Sequence, residues 1–354
     1  MHSYRVTTFG QPLEKQAETR PEPKGREVLV RVTGCGVCHS DVHLHDGYFD
    51  MGGGRKVDLS KSVAPPRTLG HEIVGEVVAC GPDVQASDAA PVGARRVVYP
   101  WIGCGTCGLC QNGNEHLCNQ PRALGVNRDG GYATHVLVPD ARYLVDFEGL
   151  DEAQACIYAC SGITAYGALL KAKSLLATSG GELLIVGAGG VGLSGIRMAE
   201  SVLGVKPIVA DIDQSKWAAA KAAGAKQTID PGSPDTLKAL MRETGGGVTA
   251  AIDFVGAAAS FTFGFSAIRR GGALIVVGLF GGAAQMPVPL IPLKAATIMG
   301  SYVGSLAEMH DMMQLAKAGK LPAMPVETRP LSEIDDVLAR LRAGKIVGRT
   351  VVRP

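Results

Sequence analysis

Between residues 183 and 211 the chain runs strand, glycines, helix, strand and acid, and that order leaves few folds open to it. L-L-I-V-G from Leu183 reads as a buried strand, and V-G-L-S-G-I-R-M-A-E-S-V-L-G from Val191 reads as a helix. P-I-V-A-D from Pro207 is the next strand and S-K-W-A-A-A-K-A-A-G-A the next helix. Further strands are expected over 227–229, 250–254, 274–278 and 297–301, with helical links at 235–242 and 258–268. Strands alternating with helices mean a parallel sheet with right-handed crossovers. The run G-A-G-G-V-G from Gly187 to Gly192 sits where the first strand turns into its helix. Gly187 allows the tight turn, Gly189 lets a pyrophosphate approach the backbone, and Gly192 permits close helix–strand packing. Gly190 and Val191 open the helix, whose N–H groups and positive end face the phosphates. Asp211 ends the second strand, 19 residues beyond Gly192 (211 minus 192). A carboxylate there can bond the adenosine ribose hydroxyls and repels a 2′-phosphate, so NAD is favoured over NADP. Lys216, in the following turn, is expected to reinforce the ribose contact.

The first 160 residues have another rhythm. Short β segments are expected over 28–32, 73–79, 96–99 and 133–138, bounded by Gly, Pro or Asp and separated by long loops. Residues 61–66 and the glycines 52–54 read as an exposed loop excursion. From about Gly304, amphipathic helices over 309–318 and 332–343 precede a final strand over 346–352. At 354 residues the chain is expected to hold two domains, either able to bury its own core. The net charge of +2 (35 basic, 33 acidic) makes no electrostatic case for nucleic acid or a membrane surface. The start, M-H-S-Y-R-V-T-T-F-G, lacks an apolar core for export, and no later stretch reads as a membrane span. The expected compartment is the cytoplasm.

Four of the nine cysteines, Cys104, Cys107, Cys110 and Cys118, share one short loop. Their spacing suits a closed, tetrahedral, all-thiolate site that fits zinc and has no open position for a substrate. A disulfide reading fails on the lack of an export signal. Iron–sulfur runs that begin C-x2-C-x2-C place their fourth cysteine after three residues and before a proline. Here seven residues intervene and Asn119 follows. Cys38, His71, Glu72 and Cys160 are also metal-capable, but spacing alone cannot join residues so far apart. Taken singly, each has an ordinary structural reading as a packed thiol or a satisfied core histidine.

An ordered series of motifs joins them. C-H-S-D-V-H from Cys38, G-H-E from Gly70, the four-cysteine loop, C-S-G-I-T-A-Y from Cys160, the glycine turn, Asp211 and G-R-T-V-V from Gly348 follow one another along the chain. Over its whole length the chain resembles the zinc-dependent medium-chain alcohol dehydrogenases. Within that family, Y-F-D-M-G-G-G-R-K-V-D-L-S from Tyr48, P-W-I-G-C from Pro100 and G-S-Y-V-G from Gly300 resemble the 6-hydroxyhexanoate dehydrogenase subgroup. The resemblance implies an α/β fold: a doubly wound Rossmann sheet (159–299) and a mostly β, GroES-like catalytic domain (1–158 and 300–354). A structural zinc lobe is implied at about 100–120.

It further implies that Cys38, His71 and Cys160 hold a catalytic zinc, with Glu72 able to ligate transiently. The four-cysteine loop then holds a structural zinc, giving two Zn2+ and one NAD per chain. Asp41 matches a carboxylate that orients the ligand histidine, and Ser40 and His43 match a proton relay. His39 and Arg349 match residues that contact pyrophosphate, while Val255, Tyr302 and Val303 match the neighbourhood of the nicotinamide. The implied reaction is reversible hydride transfer between a primary alcohol and NAD, giving the aldehyde. An ω-hydroxy acid is one candidate substrate, its carboxylate met by Arg55, Lys56, Lys61 or Arg67. Tyr48, Trp101 and Leu279 are candidates for the pocket wall. A homo-tetramer is implied, with a dimer as the alternative. Three other readings compete: a polyol or amino-alcohol dehydrogenase on the same scaffold, a zinc-free quinone or enoyl reductase, and a non-catalytic NAD-sensing zinc protein. The reductase needs neither G-H-E nor the four-cysteine lobe, and the sensor needs none of Ser40, Asp41 or His43.

Overall fold

Six parallel strands form one sheet in the spatial order Gln227–Ile229, Ile208–Ala210, Leu183–Val186, Val248–Asp253, Ile268–Val276 and Thr297–Gly300. Counted along the chain this is 3-2-1-4-5-6, the order of the doubly wound dinucleotide fold. Leu183, Leu184 and Ile185 are wholly buried, as a strand covered on both faces requires. The order reverses between Leu183–Val186 and Val248–Asp253. Ligands of such sheets bind off the carboxyl ends of the strands at that crevice. Gly187 follows the first of these strands and Val255 stands just past the second.

The structure is a computed structural model that describes residues 1–85, 87, 88 and 90–354. Its second large sheet has seven strands. Leu144–Asp146, Arg95–Val98, Glu72–Cys80, Val28–Val37, Arg349–Arg353 and Val326–Pro330 lie in that order, with His135–Val138 also paired to Val28–Val37. Strand Arg349–Arg353, from the far end of the chain, pairs antiparallel with Val28–Val37, so the chain leaves this sheet and returns to it. All pairs in it are antiparallel except Val326–Pro330 with Arg349–Arg353.

The expected strands at 28–32 and 73–79 run longer, as Val28–Val37 and Glu72–Cys80. Those extensions bring the metal-capable motifs up to the strand ends. Other elements were not expected: the hairpin of His2–Val6 with Glu14–Ala17, strand Val326–Pro330, and helices His39–Asp46 and Ile163–Ser179. H-S-D-V-H-L-H-D has no apolar period and several weak helix formers. It is helical because Cys38 opens it and Gly47, at φ 79°, closes it in the left-handed region.

The loop excursion is also corrected. Ser60–Val63 is a helical turn, and Tyr48–Asp50 pairs with Lys56–Asp58 as a hairpin whose tip is Gly52–Gly54. The tip is docked: the Asp50 carbonyl accepts from Gly282 N at 3.1 Å, and a Cβ on Gly52 would meet Ala283 N at 2.5 Å. One stretch, Glu152–Ser179, is long and apolar enough to cross a membrane, but 89% of its most apolar window is buried inside the fold. Its hydropathy is that of a core helix packed between the two sheets' units.

Candidate active site

Three separate segments deliver three ligand atoms to one point. Cys38 stands where strand Val28–Val37 gives way to helix His39–Asp46, and His71 immediately precedes strand Glu72–Cys80. Cys160 lies in a π-helical turn, Tyr158–Gly162, that interrupts the long helix. Such single-turn widenings are frequent at functional sites, because they push one residue out of helical register. The two sulfurs and an imidazole nitrogen lie within 4.8 Å of one another, all buried. Among the described residues His71 Nε2 has no hydrogen-bond partner, which is costly for a wholly buried polar atom unless a ligand satisfies it. The Cys38 thiol is drawn well below its ordinary value by its contacts with Cys160 and His71, against the opposing effect of burial. Cys160 is pushed well above its own by the bond to Cys38 and by burial. Two sulfurs and one imidazole fit zinc, and three protein donors are the number a catalytic zinc site uses.

A shell of buried acids orients the trio. Asp41 Oδ1 lies 3.1 Å from His71 Nδ1, close enough for an ionic contact though not aligned as a hydrogen bond. Its Oδ2 accepts from Cys38 N and from the Tyr132 hydroxyl, each at 2.9 Å. Glu72 Oε1 accepts from Ser161 N at 2.9 Å, and Oε2 accepts from Arg349 Nη2 at 2.5 Å. Burial raises the Glu72 carboxyl even beside that arginine. Cys156 Sγ donates to the Glu72 carbonyl at 3.0 Å. Gly36 is required here, since a Cβ would meet Glu72 Cβ at 2.9 Å.

Ser40 and His43 are three apart on helix His39–Asp46 and therefore share a face. The His43 ring lies 5.2 Å from His39 and 5.0 Å from Phe49, and burial first, then the His39 charge, push its pKa down. His39, also lowered by burial, lies 6.2 Å from Phe280, beyond the fifth strand of the nucleotide sheet. Trp101 stands 5.3 Å from His71 and 5.8 Å edge-on from Tyr302, and its Nε1 donates to Ala159 O at 2.9 Å. Tyr48 lies under Lys56 Nζ at 3.6 Å, and Leu279 is 47% exposed. Of the other basic residues near the hairpin, Arg67 is committed to Asp129 and the Val63 carbonyl.

The nucleotide end is equally built. A Cβ on Gly192 would collide with the Gly187 carbonyl, and one on Gly190 would meet Arg349 Cδ at 2.6 Å. Arg349 thus spans from Glu72 to the N-terminus of helix Gly190–Leu203. Asp211 is 8% exposed, and it accepts from Ala188 N at 2.7 Å and from Asp213 N at 2.8 Å. It braces the glycine turn, a role its spacing did not reveal. Lys216 Nζ is 3.4 Å from Asp213 Oδ2 in the same turn. Val255 lies against Gly187, where a Cβ would come 2.6 Å from Val255 Cγ2. Sequence reasoning missed Tyr132 and Ser161, because neither residue type carries a ligand signature.

The four-cysteine loop passes its own geometric test. Cys107 Sγ is 3.5 Å from Cys110 and 3.8 Å from Cys118, and Cys104 is 3.9 Å from Cys110. Sulfurs at the corners of a tetrahedron with bonds of about 2.3 Å stand about 3.8 Å apart. These distances exclude disulfides, and all nine cysteines are free. Backbone N–H groups of Cys104, Cys107 and Gln120 donate to the sulfurs at 3.3–3.4 Å, which favours thiolates.

A doubly wound sheet, a buried Cys2His trio at the meeting of two units and a closed four-thiol lobe define a zinc oxidoreductase that works with a dinucleotide. Residues 24–148 match the family model of the alcohol dehydrogenase GroES-like domain, and residues 190–318 that of zinc-binding dehydrogenases. The chain is 38% identical to an NAD-dependent alcohol dehydrogenase of Saccharolobus solfataricus and 36% identical to one of Sulfurisphaera tokodaii, each over 100% of both chains. The alcohol dehydrogenase of Aeropyrum pernix superimposes with a TM-score of 0.87 at 30% identity, covering 100% of both chains. The chain belongs to the zinc-dependent medium-chain alcohol dehydrogenases and with them is an NAD-dependent oxidoreductase.

Proposed function

We propose that this protein interconverts primary alcohols and aldehydes at the point where Cys38, His71 and Cys160 meet. The observation that carries the reading is the buried trio within 4.8 Å, whose His71 Nε2 has no protein partner among the described residues. Zinc held by these residues supplies a Lewis acid beside the substrate oxygen, and NAD supplies the hydride acceptor. Everything else is done by the chain. Asp41 holds the His71 ring through Nδ1, and Tyr132 and Cys38 N hold Asp41 in turn. Ser40 Oγ takes the alcohol proton and passes it towards the His43 ring, which its lowered pKa keeps neutral and able to accept. Glu72, poised between Ser161 N and Arg349, is the carboxylate available to the metal. His39 and Arg349 face the pyrophosphate, with Gly187, Gly189, Gly190, Val191 and Gly192. Asp211 and Lys216 serve the ribose, and Val255, Tyr302 and Val303 serve the nicotinamide.

Residues 1–158 and 300–354 form the catalytic unit in this reading and 159–299 the nucleotide unit, in a cytoplasmic homo-tetramer. Two variants test the site. NADH formation with a primary alcohol is lost in Cys38→Ala and in Ser40→Ala; full activity in both would place the chemistry elsewhere.

Within that reading the substrate is an ω-hydroxy acid, of the 6-hydroxyhexanoate type. Support comes from the docked hairpin at residues 48–58, where Lys56 has a half-buried aromatic platform and no carboxylate partner among the described residues. The polyol alternative has no such feature in its favour. Comparing kcat/KM for 6-hydroxyhexanoate and 1-hexanol decides the matter. A preference for the acid that disappears in Lys56→Met is expected, and equal values would end the proposal.

A further inference from the structure

Val303 has φ +39° and is 5% exposed. Backbone in this region is unfavourable for a β-branched residue and persists only where neighbours enforce it. The neighbours are identifiable. Tyr99, wholly buried past strand Arg95–Val98, donates its hydroxyl to the Gly304 carbonyl at 2.7 Å. Burial keeps that phenol protonated, so it remains a donor throughout the working range. Gly304 itself has no room for a side chain: a Cβ would meet Ile163 Cγ1 at 2.8 Å and Glu308 Oε2 at 2.9 Å. The Val303 carbonyl lies against Gly167, where a Cβ would approach it to 2.7 Å.

Behind Tyr99 a buried polar line leads away. Its ring stacks on Tyr143 with centroids 6.3 Å apart and planes at 18°. The Tyr143 hydroxyl donates to Glu115 Oε2 at 2.6 Å, and Glu115 also takes Gly103 N at 3.3 Å and Arg142 at 3.0 Å. Gly103 and Glu115 belong to the four-cysteine lobe. On the other side of Val303, Tyr302 stands edge-on to Trp101, which packs beside His71. A line of contacts therefore runs from the lobe through Tyr99 to the wall next to the trio.

We propose that Tyr99 is a positioning residue for alcohol selectivity: by pinning Gly304 it holds Val303 in left-handed backbone and so sets Tyr302 against Trp101 beside His71. This rests on the trio being the reaction centre. Its role is steric placement of a wall, with no contact to the reacting atoms.

Tyr99→Phe removes one oxygen and keeps the ring, so the core stays filled. The readout is the ratio of kcat/KM for 1-hexanol to that for ethanol, from which any loss of correctly folded enzyme cancels. The ratio is expected to change by about fivefold or more in Tyr99→Phe, because pocket shape sets such discrimination. Zinc content of two per chain should stay as in the parent. An unchanged ratio, with or without a lower melting temperature, overturns the proposal and leaves Tyr99 a packing residue. Cys160→Ser in the same assay separates the two levels. If Cys160→Ser is dead while the Tyr99→Phe ratio is unchanged, this inference alone fails; if Cys160→Ser stays active, the reaction centre itself is misplaced.

Discussion

At the scale of single residues, environment assigns the roles. Cys38 and Cys160 are chemically the same side chain, yet the hydrogen bond between them draws the Cys38 thiol down and pushes the Cys160 thiol up, while burial acts to raise both. His71 and His43 differ as sharply. The former has an acid at 3.1 Å and is raised well above its ordinary value despite burial, while the latter faces aromatic rings and is lowered. A lowered pKa means His43 stays neutral, and able to take a proton, down to a more acid pH than a free imidazole. Proton acceptance is lost only as pH falls through that depressed value. The acid limb of kcat/KM should therefore lie below about pH 6.5, and His43→Gln should remove that limb and lower the plateau about 10- to 100-fold. A pH–rate profile of both proteins checks this; an identical limb in His43→Gln would show that another group titrates.

At the scale of elements, two local departures from regular structure make the site. The π turn at Tyr158–Gly162 places Cys160 on the trio's side of a helix that is otherwise core. The turn at Gly187–Gly192 depends on side-chain absence, because helix Gly190–Leu203 approaches the preceding strand too closely for a Cβ at Gly192. Gly192→Ala must push the helix N-terminus off the Gly187 carbonyl and so displace the N–H groups that face the phosphates. NADH binding followed by fluorescence should weaken at least about tenfold, the scale of roughly 1.4 kcal/mol, with the zinc content unchanged. Wild-type affinity in that variant would mean the helix can yield there at no cost.

At the scale of the whole molecule, the two metal sites divide the labour. The four-cysteine lobe has its four corners filled by protein sulfur, so its effect on the fold is that of a staple. Cys107→Ser should lose one zinc per chain and lower the melting temperature by several degrees, as about 1 kcal/mol does even in a modest domain; unchanged metal and melting would refute the staple. Much of this was legible from sequence. The glycine turn, Asp211 and the alternation after Gly181 declared the nucleotide sheet, because those signals are local: a period, a turn and a spacing within one βαβ unit. The cysteine loop was legible for the same reason. Other features were not, and each depends on residues distant in the chain. Only the pairing of Arg349–Arg353 with Val28–Val37 brings Arg349 to Glu72, 277 positions away. Only packing gives Tyr132 an acid to hold, Asp211 a loop to brace and Val303 a reason for its strained backbone. By itself, then, the sequence determined the elements of the nucleotide sheet and which chemistry each motif offers, since propensity, glycine geometry and ligand spacing act over a few residues. The tertiary structure decided which motifs meet, which atoms are buried and which wall stands beside His71, since burial and contact exist only once the sheets are closed together.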